Sequence, residues 1–125
     1  MEIRKDKIKI RTALISLSDK SGISKLLHLL DKNKIKIISS GGTYKKIKRM
    51  GFKCLEVSKF TNAEEVLDGR VKTLHPKIHS GILNVRKNKR HQKQMKINKY
   101  ENIDLVIVNF YPFEEVLLKK IIMIK

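Results

Sequence analysis

Cysteine is nearly missing from this chain: Cys54 stands alone among 125 residues. A single thiol excludes an internal disulfide framework and any zinc site built from several cysteines. Long apolar runs are missing too. The longest uncharged stretch, Leu105 to Phe113, falls far short of the roughly 20 residues that a membrane-crossing helix needs. The opening residues Met1 to Asp6 contain no apolar core of a secretory signal, so the sequence reads as a cytoplasmic chain with no membrane partner. Acidic residues are also scarce: 12 Asp+Glu face 29 Lys+Arg, a net charge of +17.

Such an excess raises nucleic acid as a partner class. Its make-up argues otherwise. Lys outnumbers Arg 23 to 6, whereas bases and phosphates favour the bidentate fork of Arg. The lysines are spread along the whole chain, and the aromatics, 6% of residues, do not interleave with them as a single-strand binder requires. Ile occurs 17 times and Ala only twice, the composition an A+T-rich gene produces. The charge therefore reads mainly as lysine drift on a solvated surface, and nucleic acid is not the expected partner.

What is present fits one domain, residues 1–125, with 41% hydrophobic residues to build a core. Thr12 to Leu17 is a short apolar run and predicts a buried strand. Ile23, Leu26, Leu27 and Leu30 recur at helical spacing and predict a helix ending near Asn33. Ile35 to Ile38 predicts a second strand, Tyr44 to Met50 a short helix closed by Gly51, and Phe52 to Val57 a third strand. Ser58 to Gly81 lacks clear periodicity and reads as a long functional loop or irregular segment. Asn84 to Tyr100 is polar and helical in composition, and Asp104 to Asn109 is the clearest strand. Alternating strands and helices, with the strands apolar on both faces, predict an α/β fold. Its form is a three-layer, mostly parallel open sheet with helices on both faces. In such sheets ligands bind beyond the carboxyl ends of the strands.

Four clusters could carry chemistry. Ser40-Gly41-Gly42-Thr43 lies between a strand and a helix, where glycines let backbone N–H groups approach an anion; the alternative is an ordinary tight turn. It is not a P-loop, because no Gly-Lys-Ser/Thr follows. Asp68-Gly69-Arg70-Val71-Lys72-Thr73 places two cations and a hydroxyl together. On an extended stretch Arg70 and Lys72 point to one side, as an anion clamp or as a solvated basic loop. His75 and His79 align on a helix beginning at Pro76, yet the glutamate of a zinc-binding His-Glu-x-x-His helix is absent, so no metal is expected. Asn109-Phe110-Tyr111-Pro112-Phe113 ends a strand with an amide and a phenol, as a hydrogen-bonding group or as a rigid turn. His28, His91 and Cys54 read as structural.

In this order the clusters carry a resemblance that none carries alone. Ser18-Asp19-Lys20-Ser21-Gly22, Ser40 to Thr43, the long block Asp68 to Leu83 and Asn109 to Phe113 resemble the N-terminal, IMP cyclohydrolase half of the bifunctional purine biosynthesis protein. The other half of that protein is the AICAR transformylase. The resemblance runs from about Arg11 to about Val116. It implies a methylglyoxal-synthase-like fold, closure of formyl-AICAR to IMP with loss of water, no metal or redox cofactor, and a homodimer. It implies that Ser18, Asp19 and Lys20 form a nucleotide-binding turn and that Ser40, Gly41, Gly42 and Thr43 cradle the phosphate. Arg70, Val71, Lys72 and Thr73 would contact substrate, with Val108 and Asn109 at the end of the pocket. Lys72 and Tyr111 would be the catalytic pair.

The chain also departs from the family. Ala63-Glu64-Glu65 stands where the family carries Phe-Pro-Glu. The Asp-Ile-Gly-Gly and Ala-Ala-Lys-Asn-His stretches, which supply a further aspartate and a catalytic lysine, do not occur in these 125 residues. Val116 to Lys125 has no counterpart in the resemblance. The expectation is a C-terminally incomplete cyclohydrolase-like domain, without the transformylase and with weak turnover. The alternatives are a non-catalytic nucleotide-binding regulatory module of the same fold, or a basic nucleic-acid-binding protein.

Overall fold

A computed structural model describes residues 7–18, 20–64, 66–69 and 72–109 of the chain. Asp19, Arg70, Val71, Tyr111 and the stretch 116–125 singled out above lie outside the described residues.

Among the described residues four strands form one sheet: β1 (Thr12–Ser16), β2 (Lys36–Ser39), β3 (Leu55–Glu56) and β4 (Leu105–Val108). Their order across the sheet is β3-β2-β1-β4, and every pairing is parallel. β1 sits in the interior and is apolar on both faces: Ala13, Leu14 and Ile15 are all buried. Register explains why these strands read as continuous apolar runs. Leu14, Ile38 and Leu55 lie in line on one face, while Ala13, Ile37 and Leu105 lie in line on the other.

Helices cover both faces, which gives the three layers expected. On one side Ile23, Leu27 and Leu30 of α1 (Ile23–Lys32) and Ile47 of α2 (Gly41–Arg49) close over Ile15 and Ile37. On the other, Val57 and Phe60 of α3 (Val57–Thr61) and Ile78 of α4 (Pro76–Leu83) close over Leu14 and Ile38. Burying each such side chain contributes about 1.5–3 kcal/mol, so the two clusters dominate the stability of the domain. α5 (Lys89–Ile97) is polar along most of its length and buries Met95.

Three expectations need correction. The helix expected from Tyr44 starts at Gly41, so both glycines and Thr43 belong to its first turn. The strand expected to reach Val57 is only Leu55–Glu56, and Val57 opens α3. The segment expected as a loop holds the end of α3 at Thr61 and a tight turn at Leu67–Gly69, while the helix expected to begin at Pro76 is present as α4. For α3, packing of Val57 and Phe60 onto the sheet outweighs the weak local signal.

The chain builds outward from β1 through β2 to β3, then returns to the other side of β1 as β4. The border between β1 and β4 is thus the point where the strand order reverses, the place where open α/β sheets bind ligands.

Candidate functional site

Leu17 and Ser18 leave the carboxyl end of β1, Ser40 leaves β2, and Asn109 leaves β4. The backbone of Leu17 is the hub that joins them. Its N–H donates to Thr43 Oγ1 at 3.2 Å, and its carbonyl accepts from Thr43 Oγ1 at 3.1 Å and from Lys20 Nζ at 3.0 Å. Thr43 is 4% exposed, so its hydroxyl is spent on this link, leaving its backbone N–H for any ligand at the helix start. Deeper in, Ser39 Oγ donates to the carbonyl of Ile15 at 2.6 Å and ties the ends of β1 and β2 together. Ser18 donates from both its N–H and its hydroxyl to Asn109 Oδ1, each at 2.8 Å.

The start of α2 faces this convergence. Ser40 is extended and buried, and its side chain makes no capping bond. The first i−4 bond of the helix runs from the Tyr44 N–H to the Ser40 carbonyl at 3.2 Å. The N–H groups of Gly41, Gly42 and Thr43 precede it and carry the positive end of the helix dipole. Gly41 has φ 57, in the left-handed region that side-chain-bearing residues avoid.

Two ammonium groups come to this turn from opposite parts of the chain. A β-carbon placed on Gly41 would stand 3.7 Å from Lys72 Nζ, and one placed on Gly42 would stand 3.6 Å from Lys20 Nζ. Two cations and three N–H groups of a helix start without a side-chain cap supply the kind of donors that a compact dianion such as a phosphate requires. The glycines fit this chemistry, because any side chain there would occupy the ground between the ammonium groups and the backbone.

The structure therefore brings together Ser18, Lys20, Ser40, Gly41, Gly42, Thr43, Lys72 and Asn109, drawn from four separate segments. Thr73 lies beside Lys72 in a turn, not on the extended stretch expected, and Val108 is 62% exposed at the end of β4. The turn that leads to Lys72 holds consecutive non-glycine residues in left-handed backbone, Leu67 (φ 53) and Asp68 (φ 55). Such strain costs about 1–3 kcal/mol per residue and persists only where surrounding structure fixes it.

The histidine pair is not aligned on one helical face. His75 precedes α4 as its N-cap, with Nδ1 accepting from the Lys77 N–H at 3.0 Å, and only His79 lies on the helix. His91 Nδ1 accepts from the Val85 N–H at 3.0 Å, and His28 stands edge-on to Phe52 with ring centroids 5.0 Å apart. A cleft of about 370 Å³ between α4 and α5 is lined by His79, Asn84, His91 and Tyr100, away from the lysines. Among the described residues no group of three or more His, Cys, Asp or Glu side chains could hold a metal ion.

Sequence reasoning missed Leu17, which acts through its backbone alone, and Ser39, whose hydroxyl points into the sheet. No residue-type signal marks a backbone hub. The two-serine step Ser39-Ser40 at the end of an apolar run was the one visible hint.

Comparison with known proteins places these features in context. The MGS-like domain family matches over residues 22–123. The bifunctional purine biosynthesis protein PurH of Agrobacterium fabrum is 50% identical over 111 residues, which is 89% of this chain and 21% of that protein. PurH of Rhizobium etli is 48% identical over the same length and coverage. PurH of Ruminiclostridium cellulolyticum is 50% identical over 110 residues, 88% of this chain and 21% of that protein. The chain thus spans about a fifth of the length of these relatives. The crystal structure of ForH superposes with a TM-score of 0.74 at 28% identity, covering 82% of this chain and 54% of that one. Among the described residues no helix is long and apolar enough to cross a membrane.

Proposed function

Because the chain belongs to the MGS-like domain family, we propose that it binds a purine nucleotide monophosphate and serves purine biosynthesis as an IMP cyclohydrolase-type domain. One observation carries this reading: Lys20 Nζ and Lys72 Nζ stand within 3.6–3.7 Å of the β-carbon positions of Gly42 and Gly41. The phosphate sits against the start of α2, held by its N–H groups and both ammonium groups. The base lies toward the border of β1 and β4, near Asn109 and Val108. Arg70, Val71 and Thr73 complete the substrate contacts, and Asp19 extends the nucleotide turn.

The reaction joins an amide nitrogen to a formyl carbon within one substrate and releases water. It needs a folded substrate pose, a donor to the oxygen that gains charge, and proton transfer. Lys72 and Tyr111 take these roles, with Lys72 also bound to the phosphate side of the site. No metal or redox step is required. Turnover by these 125 residues alone is low, because no counterpart of the family's second lysine occurs among them.

Calorimetric titration of IMP into the purified chain tests the binding. Saturable binding is expected, weakened about tenfold or more in Lys20→Ala and Lys72→Ala, since each removes a charge-assisted contact of about 1.5–3 kcal/mol. Absence of saturable binding, or unchanged affinity in Lys72→Ala, overturns the reading. Catalysis is followed separately, by ultraviolet absorbance on formyl-AICAR. Robust conversion to IMP would show that the missing lysine is dispensable and that the low-turnover proposal is wrong.

A further inference from the structure

Lys72 reaches the anion site from a short turn, and what holds that turn is His75. Four hydrogen bonds converge on this residue. Its Nδ1 accepts from the Lys77 N–H at 3.0 Å, and its carbonyl accepts from the N–H groups of Ile78 and His79 at 3.0 and 3.1 Å. Its own N–H donates to the Thr73 carbonyl at 2.9 Å. Three of these bonds grip α4, and the fourth grips the turn that carries Lys72 and Thr73. Backbone conformation is fixed as well. His75 lies at φ −141 and ψ 139, the extended region that a following proline enforces, and Pro76 pre-sets the first helical residue.

The helix behind His75 is immobilised by its own contacts. Ile78 is 1% exposed in the cluster that includes Leu14 and Phe60. Lys77 Nζ lies 4.3 Å from the centroid of the Phe60 ring, a cation–π contact that offsets the poor placement of a cation in a first helical turn. Gly81 packs against the carbonyl of Glu101 so closely that an added β-carbon would stand 2.8 Å from it. A histidine cap therefore joins a rigid post to the turn of a site lysine. Nδ1 receives the Lys77 N–H through its ring lone pair.

We propose that His75 is a positioning residue for the anion site. Its imidazole cap locks the Lys72–Leu74 turn to α4 and so sets the Lys72 ammonium over Gly41, without itself touching the ligand. This rests on the phosphate reading of the site given above. His75→Ala removes the one side-chain acceptor and leaves the three backbone bonds, so the first turn of α4 loosens at the Lys77 N–H and the lysine ranges over positions away from the helix start. His75→Asn supplies another strong N-cap acceptor and restores the lock.

The experiment is calorimetric titration of inorganic phosphate into the wild type, H75A, H75N, K72A and the double variant H75A/K72A. Phosphate binding weakens about threefold to thirtyfold in H75A, the range a lost cap corresponds to. H75N returns to within about twofold of the wild type. In the K72A background H75A has no further effect, because the residue it positions is gone. If the wild type shows no saturable binding, or K72A binds as well as the wild type, the site reading itself fails and takes this proposal with it. If K72A weakens binding but H75A does not, or H75A costs as much with Lys72 removed, the positioning role alone is overturned. Should H75A lose the near-ultraviolet circular dichroism of the native fold, H75N and H75Q decide the matter. Asparagine caps and glutamine does not, so equal affinities of the two overturn the proposal.

Discussion

Ser18 and Asn109, 91 residues apart in sequence, are clipped together: the N–H and the hydroxyl of Ser18 both donate to Asn109 Oδ1 at 2.8 Å. This clip spans the border of β1 and β4, where the strand order reverses, and fixes the relative position of two loops that no helix connects directly. Asn109→Asp keeps an acceptor in place but adds a negative charge at the edge of the proposed anion site. Its thermal midpoint is expected to stay near that of the wild type, while phosphate affinity falls about tenfold, the effect of a like charge of about 1.4 kcal/mol. Asn109→Ala is expected to lower stability by about 1 kcal/mol instead, the worth of exposed hydrogen bonds. Paired titration and thermal denaturation distinguish the two patterns; equal phosphate affinity in Asn109→Asp would place this amide outside the field of the site.

At the opposite end of the sheet, Asp104 holds the start of β1. Its carboxylate accepts from the N–H groups of Arg11 at 2.8 Å and Thr12 at 3.1 Å and from Arg86 Nη1 at 2.8 Å, with a side chain only 5% exposed. Burial pushes this carboxyl up, but the Arg86 hydrogen bond, the two backbone N–H groups and the Arg86 charge outweigh it and hold the group below the usual carboxylate range. Asp104→Ala leaves Arg86 without its partner and two N–H groups unmet, and is expected to cost about 3 kcal/mol in urea denaturation.

The same carboxylate sets an acid response. A depressed native pKa means that the unfolded chain binds the proton first as pH falls. The contribution is complete above the unfolded value of about 3.9 and disappears as pH drops through the native value. Urea midpoints compared at pH 7 and pH 3 should fall less steeply in Asp104→Asn than in the wild type. Parallel slopes would show that the carboxylate is not a source of the acid sensitivity.

Gly81 lies in the middle of α4, where alanine would ordinarily stabilise by about 1 kcal/mol. Here a β-carbon would meet the Glu101 carbonyl oxygen at 2.8 Å and the Ile103 side chain at 3.0 Å. That carbonyl is backbone and cannot swing away, and the Ile103 N–H is bonded to the Gly81 carbonyl at 2.9 Å. Gly81→Ala is therefore expected to destabilise by about 1–3 kcal/mol. A gain in thermal stability would mean that α4 and the 101–103 segment have room to separate.

Cys54 is expected to be a poor nucleophile. Burial pushes its thiol up to about 11, Lys48 opposes the rise, and Glu56 adds to it. At pH 7.5 its alkylation by iodoacetamide should run on the order of a hundredfold slower than that of a free thiol. Denaturant should restore the ordinary rate. Fast labelling of the native chain would show that the β3 edge opens.

How much of this was legible in the chain varied with the kind of signal. The strands around Leu14 and Ile38 stand out because a parallel strand buried on both faces is apolar without interruption; β4 is equally apolar in sequence, although it lies at the edge of the described sheet with Val106 and Val108 exposed. α1 stood out because Ile23, Leu27 and Leu30 repeat at helical spacing. α3 did not, because five residues beginning at a β-branched Val57 look like the end of a strand. The first turn of α2 was obscured by its two glycines, poor helix formers in isolation. α4 shows little apolar periodicity, because its buried positions are Ile78 and Gly81 and the latter has no side chain; only its start at Pro76 is legible as a helix cue. The cue that marks its start, His75 before Pro76, was visible but was weighed as a metal pair.

Legible in the residues alone are the α/β class, most of the strands and helices in their order, and the polar clusters after β1, β2 and β4. Hydrophobic periodicity carries that information because it records which faces are buried. It does not record which strand lies beside which. That Lys72 meets Gly41, that Thr43 closes on Leu17, and that Asn109 returns to Ser18 were decided by the tertiary structure alone. These contacts depend on the β3-β2-β1-β4 order, which arises from long-range parallel pairing and the packing of helices on both faces of the sheet. Residue types supplied the cations and the glycines; the strand order made them one site.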